Sequence, residues 1–271
     1  MYENIYGLSC VENQVLAQLR AHGMELSVLY AAADISFESL FDEMVVKGTR
    51  PEYFTRIPRI QDILKDRGVI SLERKDTPCV DEIIDILVKN EYTVFVKIRP
   101  EFVKQKLYAR GLRDDHCVFV EKTGDRYTLH NDIPETTAVL SECELREVYA
   151  GSYFMFKIIR SLSENDILYT PKEIPHEIEF PVNAAFLNDI PDIGQKFRNF
   201  MWIYKTLVYR FTEYNNKKLS HKRIKESREY ADNIFAFSEY LNLKKSNDTN
   251  KYCTLINEVY TADYTLKNSI I

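Results

Sequence analysis

Apolar residues near the start of the chain recur at helical spacing. From Val11 they fall at every fourth position, which predicts an amphipathic helix over residues 10–22. Ser9 and Glu12 match the S-x-x-E capping box, so Cys10 is expected to be the first helical residue. The same period predicts further helical segments over residues 27–47, 60–66 and 78–90.

Beyond residue 90 the apolar pattern changes from the helical period to an alternating one. The β-rich runs YTVFVKI (92–98), HCVFVEK (116–122) and SYFMFKII (152–159) predict strands. The turn residues TGD and the run RYTLH extend the second strand into a hairpin over 116–130. A second S-x-x-E start predicts a helix over 141–149. Helices followed by an antiparallel sheet are typical of the α+β class.

The last part of the chain has a different character. Residues 161–181 contain three prolines among acidic and polar residues and are predicted to form a linker. Apolar stripes at 193–211 and 230–241 then predict helices packed as a bundle. We therefore expect a first domain over 1–160, a linker over 161–181 and a C-terminal α-helical domain over 182–271.

Composition narrows the class of protein. The chain has 271 residues, 45% of them hydrophobic and 28% charged, which is the balance of a globular protein with a core. The net charge of -5 argues against a general nucleic-acid binder. No apolar run approaches the ~18 residues that a membrane span needs, and the N-terminus lacks the signal-peptide pattern. We therefore expect a cytoplasmic protein that binds neither nucleic acid nor membrane.

Several kinds of site are not predicted. The sequence contains no Gly-rich phosphate-binding motif. Its five cysteines are dispersed and form no C-x-x-C, which argues against a disulfide framework or a structural zinc site. No group of His, Cys, Asp and Glu has a metal-ligand spacing. We expect no metal and no bound cofactor, and the remaining question is whether a cysteine acts as a nucleophile.

Three residues together predict nucleophilic catalysis. Cys10 is expected at a helix N-terminus, where the helix dipole favours the thiolate. His116 is expected at the start of a strand, and the hairpin brings the chain back so that Asp132 lies close to it. The order is that of a nucleophile, a base and a residue that orients the base. Each residue alone also fits a structural role as a buried cysteine, a strand histidine or a turn aspartate.

The arrangement resembles the papain-like cysteine peptidase fold, in the compact form of bacteriocin-leader peptidases. More closely, residues 6–159 resemble the N-terminal domain of the butirosin-cluster acyltransferase family, which includes an amide synthase of thioamide-antibiotic assembly. The resemblance rests on four short motifs whose order and spacing agree, namely GLSCVENQVLAQLRAHGMELS, YTVFVKI, DDHCVFVEKTGDRYTLHND and LSECELREVYAG.

This resemblance implies acyl transfer in secondary-metabolite biosynthesis. The acyl group would come from the phosphopantetheine thioester of a carrier protein, and a small amine would accept it to give an amide. Cys10 would be the nucleophile, His116 the base and then the acid, and Asp132 the residue that orients His116. At the position where papain-like enzymes carry an oxyanion-hole glutamine, this chain has the shorter Asn4. The backbone N–H of Cys10, at the N-terminus of a helix, is the better candidate donor.

Two other functions fit the same sequence. A cysteine peptidase of this fold would differ only in the acceptor, and a non-catalytic binding protein would use Cys10 structurally. Cys117 is expected on the sheet face opposite to His116, in a packing role. A basic run in the C-terminal domain either faces solvent or docks an acidic carrier protein, and comprises Lys217, Lys218, Lys222 and Arg223.

Overall fold

The computed structural model of the protein describes residues 9–33, 35–51, 54, 59–107, 116–132, 135–163, 166 and 179–270. These residues form two compact units. The first unit contains residues 9–26 together with 59–166, and the second contains 27–54 together with 179–270, as far as each range is described.

This division differs from the predicted one. Residues 27–54 belong to the C-terminal unit rather than to the first domain. The reason is packing, because Phe37 and Phe41 are buried and set their rings edge-on against Phe200 of that unit. Hydrophobic spacing predicts a helix but does not specify which core the helix joins. Most of the predicted linker at 161–181 lies outside the described residues.

The helices follow the predicted pattern in most places. A 3₁₀ helix spans Ser27–Ala33 and a π-helical turn spans Asp42–Val46. The α-helices are α1 Cys10–Ala21, α2 Phe37–Phe41, α3 Ile60–Asp66, α4 Val80–Lys89, α5 Pro100–Lys106, α6 Glu142–Val148, α7 Ala184–Asn188, α8 Ile193–Tyr214, α9 His221–Leu243 and α10 Thr249–Lys267.

The first unit contains several helices and one antiparallel sheet, which confirms the predicted α+β class. Within the described residues the sheet has six strands in the order β1-β6-β2-β3-β4-β5, and every neighbouring pair is antiparallel. The strands are β1 Ile70–Asp76, β2 Thr93–Ile98, β3 His116–Thr123, β4 Arg126–Asn131, β5 Thr136–Leu140 and β6 Tyr149–Ile158.

The predicted hairpin is present as β3 and β4. Its two-residue turn begins at Gly124, whose φ of 62° lies in the left-handed region that glycine adopts without a steric penalty. Phe119 pairs with His130 across the hairpin, so the register returns the chain towards the start of β3. The residues after β4 therefore lie beside His116.

The two faces of the sheet pack against different elements. Alternate residues of β2 and β3, among them Val96 and Val118, belong to a core cluster that includes residues of α4, α5 and α6. The intervening residues Phe95 and Phe119 project from the other face, where their rings lie edge-to-face with centroids 6.4 Å apart. α1 contacts β3, and its buried residues are not part of the first cluster, which places α1 on this second face.

Three elements were not predicted from the sequence. β1 and β5 are the outer strands of the sheet, and both leave several side chains exposed. Edge strands with polar faces give a weak alternating pattern. α5 is a short helix with Pro100 at its first position, and seven residues carry little periodic signal.

The second unit is helical. The predicted stripes on α8 and α9 are confirmed as helices, and α8 buries Phe197, Phe200 and Tyr204 in the core of this unit. Among the described residues, no helix is long and apolar enough to cross a membrane.

Candidate functional site

The N-terminus of α1 is fixed by a reciprocal capping box around Cys10. The Ser9 hydroxyl accepts a hydrogen bond from Glu12 N at 3.2 Å, and Glu12 Oε2 accepts one from Ser9 N at 2.9 Å. Glu12 Oε1 also accepts from Ile60 N at the start of α3, at 3.0 Å. Glu12 is only 3% exposed, so this carboxylate joins two helix starts inside the first unit. Cys10 is thereby held at the positive end of the α1 dipole, as predicted.

His116 is the first residue of β3 and is buried. Its Nε2 atom lies 2.8 Å from Asn131 Oδ1 and 3.0 Å from Asp132 Oδ1. Both partners are acceptors, so Nε2 carries a proton and donates it. The other ring nitrogen, Nδ1, is then the atom available to the Cys10 thiol, with which the imidazole is in hydrogen-bond contact.

Asp132 follows directly after β4 and is 5% exposed. Its Oδ1 atom accepts from His116, and its Oδ2 atom accepts from Asn13 Nδ2 at 2.8 Å. Each carboxylate oxygen therefore has its own donor, one from β3 and one from α1. This arrangement orients the carboxylate towards the imidazole.

The Cys10 sulfur has three stabilising contacts. A hydrogen bond from the Cys117 thiol lowers the pKa of Cys10 most, and burial acts in the opposite direction. The hydrogen bond and the positive charge of His116 lower it further, so that the pKa of Cys10 falls to about 4. The Cys117 backbone N–H contributes a further hydrogen bond. At neutral pH the sulfur is therefore a thiolate, which is the nucleophilic form of cysteine.

The imidazole of His116 is shifted in the opposite direction. Burial alone would lower its pKa, but the hydrogen bonds to Asp132 and Cys10 and the charges of both outweigh burial and raise the pKa of His116 to about 10. Cys10 and His116 thus form a thiolate–imidazolium pair over the neutral range. Such a pair provides a nucleophile together with a proton donor for a leaving group.

The structure therefore brings Cys10, His116 and Asp132 together, and the proximity of His116 and Asp132 follows from the predicted hairpin. Asn4, the predicted oxyanion-hole residue, lies outside the described residues. The basic run belongs to the second unit: Lys217 and Lys218 lie in the turn between α8 and α9, and Lys222 and Arg223 lie in the first turn of α9. Lys222 Nζ is 3.8 Å from Glu226 Oε1.

Cys117 was predicted only to pack in the core, but it is also a hydrogen-bond partner of Cys10. Cys117 is fully buried, and burial raises the pKa of its thiol well above the ordinary value, which keeps it protonated as a hydrogen-bond donor. Strand alternation places its side chain on the same face as Phe119, which is the face covered by α1. That second face carries Cys10, so alternation brings Cys117 into the site rather than out of it.

Two amides of the site were also missed by sequence reasoning. Asn131 precedes Asp132 and, like it, accepts a hydrogen bond from His116. Asn13 lies three residues after Cys10 and donates to Asp132. The helical spacing of Cys10 and Asn13 on one face of α1 was the available signal. Asn131 gave none, because it fits a turn sequence equally well.

Within the described ranges, no three His, Cys, Asp or Glu residues are arranged to hold a metal ion.

No protein-family model matches the chain, and no curated protein matches it significantly.

Proposed function

We propose that the protein is an acyltransferase that forms amides through an acyl-enzyme on Cys10. The observation that carries the proposal is the contact set Cys10–His116–Asp132, in which a thiolate at a helix N-terminus meets an imidazole held by a carboxylate. These groups satisfy the requirements of nucleophilic catalysis by cysteine.

The first half-reaction would load the enzyme. The Cys10 thiolate attacks the carbonyl carbon of a thioester, and the negative charge of the tetrahedral intermediate falls on the carbonyl oxygen. Cys10 N–H, at the start of α1, is a donor for that oxygen. The bond to the departing sulfur then breaks, and the His116 imidazolium gives its Nδ1 proton to the leaving thiolate.

The second half-reaction would release the product. Neutral His116 takes a proton from the incoming amine as its nitrogen attacks the acyl carbon. The carbon–sulfur bond to Cys10 breaks and the amide leaves. Cys10 returns as the thiolate and His116 as the imidazolium, so the two half-reactions restore the starting ion pair.

The fold supports the same proposal. A cysteine-headed helix packs on an antiparallel sheet, with the histidine on β3 and the aspartate just beyond β4. We propose that the first unit is a papain-like domain of the butirosin-cluster acyltransferase type.

The donor in this proposal is a carrier protein, and the setting is secondary-metabolite biosynthesis in the cytoplasm. The phosphopantetheine arm would bring the thioester to Cys10, and a small amine would be the acceptor. Lys217, Lys218 and Lys222 are exposed on the second unit, and we propose that an acidic carrier protein docks on them.

The test uses thioesters that imitate the end of the phosphopantetheine arm. Acetyl, hexanoyl and benzoyl thioesters of N-acetylcysteamine are each incubated with the protein, and the intact mass is measured. We expect a mass increase equal to one acyl group, mapped by peptide analysis to Cys10. Addition of ethanolamine should discharge the acyl group and yield the corresponding amide.

The matched control is Cys143→Ala, which removes an exposed cysteine of the first unit and should leave acylation unchanged. Cys10→Ala should abolish it. An acyl-enzyme that water discharges while ethanolamine gives no amide would favour the peptidase alternative. Failure of every thioester to acylate Cys10 would contradict the proposal.

A further inference from the structure

We infer that Asn13 is a positioning residue that holds the Asp132 carboxylate in the orientation needed by His116. The inference rests on the proposed function, because it assigns a role within the same site. Asn13 does not touch the reacting atoms, so it would act only through Asp132 and His116.

Asp132 is held by two hydrogen bonds, one from His116 and one from Asn13. Asn13 Nδ2 donates to Asp132 Oδ2 at 2.8 Å, while Oδ1 of the same carboxylate accepts from His116 Nε2 at 3.0 Å. Asp132 lies beyond the last residue of β4, so the strand ladder does not fix it. With both oxygens engaged, rotation of the carboxylate breaks one of the two hydrogen bonds.

Helix α1 carries both ends of the resulting chain of contacts. Cys10 contacts His116, His116 contacts Asp132, and Asp132 contacts Asn13, which returns to Cys10 through one turn of the helix. Residues three apart lie on the same side of an α-helix. The position of the nucleophile relative to the carboxylate is therefore set by a single rigid element.

The burial of Asn13 indicates that the amide is present for this contact. Asn13 is 1% exposed, and its Oδ1 atom has no hydrogen-bond partner among the described residues. A buried carbonyl oxygen without a partner costs free energy, and asparagine is a weaker helix former than leucine or alanine. An apolar residue would serve packing better, so the donation to Asp132 is the property that distinguishes asparagine here.

The experiment measures the ionisation of Cys10 and needs no substrate. Intact protein is alkylated with iodoacetamide across a range of pH, and modification of Cys10 is followed by mass spectrometry. The variants are Asn13→Ala and Asn13→Leu, of which the second preserves most of the buried volume. The matched control is Gln14→Ala. Gln14 is also a buried amide of α1, but it donates to the backbone oxygen of His130 at 3.3 Å and not to Asp132.

We expect the Asn13 variants to raise the midpoint of Cys10 alkylation by about one pH unit or more, because a carboxylate that rotates away stabilises the imidazolium less. Gln14→Ala should change thermal stability but not the midpoint. The acylation rate should fall roughly 10- to 100-fold in the Asn13 variants, by analogy with residues that orient metal-ligating side chains through a hydrogen bond.

The outcomes separate this inference from the proposed function. A low midpoint in the natural protein with a superimposable profile in folded Asn13→Leu would overturn the role of Asn13 while leaving the thiolate intact. A shift of equal size in Gln14→Ala would also overturn it, since the effect would then be structural. A natural protein whose Cys10 titrates as an ordinary thiol would overturn both proposals.

Discussion

The Cys117 thiol lies in hydrogen-bond contact with the Cys10 sulfur, and it contributes more than His116 to the low pKa of Cys10. Cys117 is the neighbour of His116 in β3, and its own pKa is raised by burial. The proton therefore stays on Cys117, and the negative charge stays on Cys10. Two consecutive residues of β3 thus each supply a side-chain hydrogen bond to the thiolate.

Cys117→Ala is expected to raise the pKa of Cys10, because the largest stabilising hydrogen bond to the thiolate is lost. The measurement is the pH profile of iodoacetamide alkylation at Cys10. Cys143→Ala, an exposed cysteine in the same unit, is the matched control and should leave the profile in place. An unchanged midpoint in Cys117→Ala would mean that the thiol does not donate to Cys10.

Acyl-enzyme formation should show a broad plateau in its dependence on pH. The thiolate appears as the pH rises through the pKa of Cys10, about 4, and the imidazolium is lost as the pH rises through the pKa of His116, about 10. Both groups are in the reactive form between these limits. The rate of thiol release from an N-acetylcysteamine thioester, corrected for spontaneous hydrolysis, tests this. A single steep rise near the ordinary thiol pKa would contradict the ion pair.

Cys10→Ala should abolish acyl transfer and preserve the fold. Removal of a nucleophile from such a triad costs on the order of 10³-fold or more in rate. Alanine is compatible with the first position of α1, so the variant should fold, while loss of the ion pair with His116 should lower its thermal stability. Circular dichroism and thermal unfolding check the second part. A folded variant that retains more than about 1% of the activity would remove the covalent mechanism.

Asp132 and Asn131 both accept from His116 Nε2, but the carboxylate should matter more. Its charge stabilises the imidazolium, whereas the amide offers only a hydrogen bond. We expect Asp132→Ala to lower the rate of acyl-enzyme formation roughly 10²- to 10⁴-fold, where the upper limit is the loss that follows replacement of the aspartate in a serine triad. Asn131→Ala should have a smaller effect. The reverse order of the two variants would assign the orienting role to Asn131.

The basic run is expected to affect only reactions with a carrier protein. Charge reversal of Lys217, Lys218 and Lys222 to Glu should slow acyl transfer from a carrier-bound donor and leave an N-acetylcysteamine thioester unaffected. The reason is that attraction between charged surfaces raises the association rate, and the difference should fade with salt. The dependence of the rate on carrier concentration and ionic strength measures this.

The control for this experiment is charge reversal of Lys244 and Lys245, which are exposed at the other end of α9. These variants should behave like the natural protein. If the basic-run variants react normally with both donors, or lose both reactions together, the run is not the docking surface.

Local patterns in the sequence were sufficient for the elements that carry the three predicted site residues. The capping box at Ser9 and Glu12 defines the start of α1 and so the position of Cys10. The two-residue turn at Gly124 defines the hairpin and so the proximity of His116 and Asp132. Each signal involves only residues that are close together in the sequence, where backbone hydrogen bonding is decided locally.

The tertiary structure decided the relationships between distant segments. Residues 27–54 join the C-terminal core because their aromatic side chains pack against those of α8, as Phe37 does against Phe200. The hydrophobic period of the sequence does not show which core a helix joins. The contacts of Asn13 with Asp132 and of Cys117 with Cys10 arise only once α1 covers one face of β3. A sequence shows which face of an element a residue occupies, but its partner depends on how two elements pack, and packing is a property of the whole core.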